Sequence, residues 1–68
     1  MDIDRARSEV KRLAEKYVTD TAKRREILAA AENPDPPFKW LLVELGPFMT
    51  EAAAEDRAVI KEIGFYWA

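Results

Sequence analysis

Glu51 and Glu55 lie one helical turn apart and come closest to a metal site among the residues of this sequence. Carboxylates at that spacing can share a divalent cation. In helical bundles such sites usually take further carboxylates or histidines from other helices. This chain has no histidine, and Glu44 is the only obvious additional donor. We therefore expect these glutamates to be solvated, and we expect no bound metal and no cofactor.

Side chains that act as catalytic nucleophiles or bases are scarce in the chain. The absence of Cys and His excludes thiolate nucleophiles, imidazole bases, disulfides and the usual zinc sites. Ser8 is the only serine and lies among charged residues, with no local arrangement that pairs it with a base. The sequence therefore predicts a protein that is not an enzyme.

Lys23, Arg24 and Arg25 form a run of positive charge that could contact phosphate or an acidic partner. On a helix, however, three adjacent residues spread around most of the circumference, and Glu26 and Glu32 lie close by. The formal net charge of -2 also argues against the broad basic field that nucleic-acid binding needs. We interpret the run as a solvated surface and expect no nucleic-acid partner.

Aromatic side chains are concentrated in the second half of the chain, where all but Tyr17 lie. Aromatic residues supply a large contact area at low entropic cost and are enriched at binding hot spots. Because a domain this small has little interior for them, we predict an exposed aromatic patch that binds a protein partner or a second copy of the chain. The predicted contact residues are Trp40, Phe48, Met49, Tyr66 and Trp67.

Two alternatives to this hypothesis stay open at the level of sequence. If the aromatic side chains all fill the core or are lost in a homodimer, the protein is a structural scaffold with no ligand. A nucleic-acid-binding regulator that uses Lys23, Arg24 and Arg25 is a third hypothesis, which steep salt dependence of binding would support. The oligomeric state is also open.

Helices must position these residues, because the chain has 11 alanines, 8 glutamates and only two glycines, and no alternating stretch predicts a strand. The clearest helix is the first, whose apolar residues from Ile3 to Val18 follow a spacing of three and four. The residues around Asp20 supply an N-cap, but no glycine or proline forces a break there. We favour a break near Asp20, with one continuous helix to Glu32 as the alternative.

Residues 33–37, with three prolines, form a loop because proline cannot continue a helix. We predict that Asp35 caps a third helix with Pro36 at its first position, and that this helix runs to about Leu45. Gly46 is expected to end it in the left-handed conformation. The third helix is apolar nearly all round, so its Trp40 side is a candidate exposed surface.

A fourth helix follows, and we predict that Thr50 caps its start and Gly64 ends it. In that arrangement Phe65 folds back on Ile60, and residues 66–68 form a short aromatic tail.

The length of 68 residues allows one domain, residues 1–68, because so short a chain cannot form two cores. The predicted fold is an all-α compact bundle of four short helices, or of three if the first two are continuous. The hydrophobic run at residues 40–43 is far shorter than the roughly 20 residues that a membrane span needs. Charged residues such as Asp2 and Arg5 argue against a signal peptide, so we expect no membrane contact and, for a natural protein, a cytoplasmic location.

Residues 23–31, Lys-Arg-Arg-Glu-Ile-Leu-Ala-Ala-Ala, resemble the start of the first helix in TetR-type DNA-binding domains. That resemblance covers nine residues and then fails, because those domains continue into a helix-turn-helix where this chain has its proline-rich loop. No DNA-contacting residue is carried over from it.

The composition of the whole chain resembles that of de novo designed helical miniproteins. It lacks Cys, His and Gln, has a single serine and a single asparagine, and is rich in strong helix formers. The aromatic second half looks like the contact face of a designed binder. A small natural actinobacterial or phage protein rich in Ala and Arg would have the same statistics, so natural and designed origin both stay open.

Overall fold

Four α-helices make up the chain in the computed structural model, which describes all 68 residues. A 3₁₀ turn follows the third helix directly, and no strand is present. The predicted all-α bundle is confirmed, with four helices rather than three. The elements are α1 (Ile3–Tyr17), α2 (Thr21–Ala31), α3 (Phe38–Leu45), the 3₁₀ turn (Gly46–Phe48) and α4 (Ala54–Trp67).

The break near Asp20 is confirmed. Val18 and Asp20 both have extended backbones, and the Asp20 side chain accepts a hydrogen bond from the backbone N–H of Lys23 at 2.9 Å. The Arg24 guanidinium donates to the Val18 carbonyl oxygen at 3.1 Å. Side chains near the start of α2 therefore satisfy backbone groups on both sides of the break.

The predicted start of α3 is wrong. Asp35 caps nothing, and the helix begins at Phe38 with no side-chain hydrogen bond at its N-cap. A proline at position 37 disfavours helical backbone at Pro36, so a helix cannot start at Pro36 as expected. The Asn33 side chain closes the loop instead, because its oxygen accepts from the Asp35 N–H at 3.0 Å.

Gly46 does not end α3 in the left-handed conformation. Its φ is −47° and its ψ is −53°, so the backbone stays right-handed and the chain tightens into the 3₁₀ turn. Pro47 is tolerated there, since the first residues of a helix have no internal acceptor for their N–H groups. The predicted helix end at Leu45 is nevertheless confirmed.

Both predicted ends of α4 are wrong. The helix begins at Ala54 with no side-chain cap, because the chain first forms a turn in which the Ala52 N–H donates to the Met49 carbonyl oxygen at 3.1 Å and both residues are buried. It then continues through Gly64 to Trp67. Phe65 therefore does not fold back on Ile60.

The core lies where α1 packs on α2 and where α3 packs on α4. The predicted apolar face of α1 is buried at Ala6, Val10, Leu13 and Ala14, but its first residue, Ile3, is 41% exposed. Arg7 joins α1 to the end of α2, donating to the carbonyl oxygens of Ala31 at 2.8 Å and Asn33 at 3.0 Å. The radius of gyration is 10.6 Å, close to the value of about 11 Å for a compact chain of this length. None of the helices combines the length and the apolarity that crossing a membrane requires.

Candidate functional site

The five residues predicted to form a contact surface separate into three groups. Trp40 and Tyr66 are exposed, Phe48 and Trp67 are half-buried, and Met49 is only 5% exposed. Met49 therefore belongs to the core and not to an exposed patch. Its N–H donates to the Gly46 carbonyl oxygen at 3.0 Å, which closes the turn that carries its side chain inward.

Three exposed apolar residues, Ile3, Val43 and Phe65, lie outside the five predicted contact residues. Phe65 is 83% exposed and Val43 is 64% exposed. Phe65 was expected to fold back, but continuation of α4 places it two residues from the buried Ile63 and so on the opposite side of the helix. Val43 lies three residues after Trp40 and therefore on the same face of α3, the side that was predicted to be a candidate exposed surface.

Aromatic rings form a contiguous row at the C-terminal end of α4. The ring of Trp67 lies 4.6 Å from that of Phe38, with Tyr66 5.5 Å from Trp67 and Phe65 5.2 Å from Tyr66, all between centroids. Phe38 is buried, so the row runs from the core to the surface. We call Phe65, Tyr66 and Trp67 the aromatic ridge.

An open cavity of about 600 Å³ lies where the start of α3 meets the end of α4. Its apolar wall consists of Pro36, Pro37, Phe38, Trp40, Val43 and Trp67. Asp35 and Lys39 add one charge of each sign. Both tryptophans of the chain therefore face one concave surface.

A second, smaller cavity of about 250 Å³ lies further along the same pair of helices. Gly46 and Met49 line it from the side of the 3₁₀ turn, and Arg57, Ile60 and Lys61 line it from α4. Met49 therefore belongs to the candidate site as a buried residue that lines the smaller cavity, and not as an exposed contact residue.

Asp56 is the centre of a buried polar cluster that the sequence interpretation missed. Asp56 is 3% exposed and accepts hydrogen bonds from Arg12 at 2.9 Å, Lys16 at 2.8 Å and the Tyr17 hydroxyl at 2.5 Å. The Tyr17 hydroxyl in turn accepts from the Ala53 N–H at 3.2 Å. These bonds fasten the start of α4 to the end of α1.

The charges in this cluster stabilise one another. Hydrogen bonds from Lys16, Tyr17 and Arg12 hold the pKa of Asp56 far below its usual range. The pKa of Lys16 is raised in return, chiefly by its bond to Asp56. The carboxylate lines none of the cavities, and all of its donors come from the chain itself, so we assign the cluster a structural role.

The basic run is largely engaged within the chain. Lys23 contacts Glu44 at 2.5 Å and Glu26 at 3.5 Å, and the bond to Glu44 raises the pKa of Lys23. Arg24 is held by the Val18 carbonyl, which leaves Arg25 free. Glu51 and Glu55 are exposed, and no group of three or more acidic side chains is arranged to hold a metal ion.

No protein-family model, curated protein or solved structure matches the chain. Its class is therefore given by its architecture and surface. The chain is a small all-α four-helix bundle that presents an aromatic ridge beside an apolar cavity.

Proposed function

We propose that the chain is a non-enzymatic protein-binding module whose contact surface is the aromatic end of the α3–α4 pair. The observation that supports this most is that exposed Trp40 and Val43 line one apolar cavity with Trp67. The Trp67 ring in turn lies beside exposed Tyr66, whose ring lies beside exposed Phe65. Scattered apolar side chains are normal on a protein surface, whereas a contiguous aromatic group beside a concave site is typical of interfaces. The proposed anchors are Trp40, Tyr66 and Trp67 of the predicted set, together with Phe65 and Val43.

Two features favour this function over the alternatives. The most strongly perturbed carboxyl group, Asp56, is fully occupied by donors of the chain, so it lacks the access to solvent that a catalytic acid or base needs. Lys23 is paired with Glu44 and Glu26, and the Arg24 guanidinium is held by the Val18 carbonyl, so two of the three residues that a nucleic-acid regulator would use are engaged within the chain.

Site-specific photocrosslinking tests the proposal. A photoreactive amino acid replaces Val43, which lines the large cavity, and in a control protein it replaces Ser8, which is exposed on α1 and lines no cavity. In a mixture containing the partner, we expect a protein adduct from position 43 that is absent from position 8 and is lost in a Phe65→Ser variant. Adducts that form equally at both positions would contradict the proposal.

Sedimentation and acrylamide quenching complete the test. We expect accessible tryptophan emission, because Trp40 is exposed and Trp67 is only half-buried. A monomer whose two tryptophans both resist quenching would favour the scaffold alternative.

A further inference from the structure

The larger cavity lies at the start of α3 and the smaller one at the turn after α3, each with α4 on its other side, and we call the surface between them the seam. On one side Lys39, Val43 and Gly46 follow the spacing i, i+4, i+7, which places them on a single stripe. On the other side Ile60 and Trp67 are also seven residues apart. The helices are antiparallel, because the start of α3 meets Trp67 and the residue after α3 meets Ile60. Seven residues of helix span roughly 10 Å, so the seam is about two turns long.

The seam restricts the backbone of anything that binds in it. Apart from the loop before α3 and the turn after it, the walls are helical, and the N–H and C=O groups of a helix interior are already bonded within the helix. An extended strand would therefore find no row of free donors and acceptors, unlike a strand added to a sheet edge. A helix satisfies its own backbone and offers only side chains, which is what an apolar seam can accept.

The charges along the seam are mainly positive. Lys39, Arg57 and Lys61 line the two cavities against the single carboxylate of Asp35. None of these three cations forms an ion pair within the chain. The seam is thus locally cationic in a protein of net charge -2, and its charge complements an acidic occupant.

We propose that the α3–α4 seam binds an acidic amphipathic helix of a partner protein. Apolar side chains of that helix enter the cavity beside Trp40, Val43 and Trp67, and its carboxylates lie beside Arg57 and Lys61 about two turns away. The inference rests on the proposed protein-binding function and adds the chemistry of the partner.

Intrinsic fluorescence measures this binding, since both tryptophans line the larger cavity. The probe is a synthetic peptide of roughly 18 residues, about five helical turns, with leucines on one face, glutamates beside them and no aromatic residue. A matched peptide carries lysine in place of each glutamate. We expect a saturable emission change at low salt and an affinity about tenfold higher for the glutamate peptide.

Charge reversal tests which residues cause the preference for the glutamate peptide. In a double variant, Arg57→Glu with Lys61→Glu, we expect the preference to invert in favour of the lysine peptide. The control is Arg5→Glu with Arg25→Glu, which makes the same change in net charge at exposed positions that line no cavity. This control should keep the preference for the glutamate peptide. Equal affinities for the two peptides, or equal effects of the two double variants, would overturn the proposal.

A second variant is designed to block the seam with an uncharged side chain. A side chain at Gly46 meets no atom within 4 Å at its Cβ, so Gly46→Leu finds space in the seam. Because a Cβ before Pro47 disfavours the right-handed backbone of this position, circular dichroism checks the fold of the variant before its binding is compared. We expect it to weaken binding of the glutamate peptide by at least about tenfold, with an unchanged circular dichroism spectrum. Ser8→Leu adds the same side chain on α1 and should have no effect on binding.

Other occupants give distinct results. Binding of a proline-rich peptide but of neither helical peptide would show that the occupant of the seam is not a helix. A dimer that Gly46→Leu prevents from forming would show that the occupant is a second copy of the chain. Both results refute the inference and leave a protein-binding surface in place. If the position-43 adduct is also absent, the proposed function fails together with the inference.

Discussion

The position of Asp56 in its helix can be predicted from the sequence, whereas its burial cannot. Its position in the first turn of α4, where the helix dipole favours an acid, follows from local pattern. Its burial against Arg12 and Lys16 does not, because those partners lie 44 and 40 residues away in the chain. The spacing of Arg12 and Lys16 places them on one face of α1, but nothing local indicates which carboxylate that face meets.

The stability of the protein should fall in acid because of Asp56. Its pKa is lowered in the folded state, so the unfolded chain takes up the proton first and protonation favours unfolding. The contribution of Asp56 is complete above the unfolded pKa of about 4 and is lost as the pH falls towards the lower folded value. We expect urea midpoints to decrease steadily below about pH 4, and to decrease less in Asp56→Asn.

Glu32 provides the control for this titration. Its pKa is also lowered, by the hydrogen bond and charge of Lys11, but both side chains of that pair are exposed to solvent. Exposed ion pairs are screened and contribute little to stability. Glu32→Gln should therefore leave the acid dependence almost unchanged, and a loss as large as that in Asp56→Asn would contradict the structural role assigned to Asp56.

At the level of elements, a helix start was predicted correctly where a side chain caps the helix. Asp20 caps α2 through the Lys23 N–H, and the break before it follows from that local signal. The starts of α3 and α4 have no side-chain cap, so candidate residues such as Asp35 and Thr50 misled the prediction. The start of α3 depends instead on consecutive prolines. The start of α4 depends on burial of the chain after the 3₁₀ turn, and that burial is determined by tertiary packing.

Two aspartates that look alike in sequence should differ in their effect on stability. Asp20→Ala removes a side-chain cap and should lower the free energy of unfolding by about 1 kcal/mol. Asp35→Ala removes an exposed carboxylate that caps no helix, and should stay within about 0.5 kcal/mol of the parent. Urea unfolding followed by far-UV circular dichroism compares them. Equal losses would mean that Asp35 caps α3 in solution.

For the molecule as a whole, the sequence located the aromatic half but could not assign each ring to core or surface. The excess of large side chains over interior volume predicts that some are exposed, and Trp40 and Tyr66 are. Which others join them depends on where α4 ends, since continuation through Gly64 exposes Phe65. Met49 was misplaced because it closes the 3₁₀ turn, through its N–H on the Gly46 carbonyl oxygen, and is buried there. The resemblance to designed miniproteins stays a prediction, because the fold is compatible with either origin.

Because the bundle is small, a single core substitution can remove a large fraction of its free energy of unfolding. A chain of 68 residues is expected to be stable by only about 3 to 10 kcal/mol, and Leu41 is fully buried where α3 meets the core. Leu41→Ala should cost about 2 to 5 kcal/mol and leave a measurable fraction unfolded at room temperature. Leu42 is half-buried and should cost less, whereas exposed Val43→Ala should change stability by under about 0.5 kcal/mol. Thermal and urea unfolding of these three neighbouring variants would reveal the gradient. A large loss at Val43 would show that its side chain is covered in solution, and the seam would then be closed to a partner.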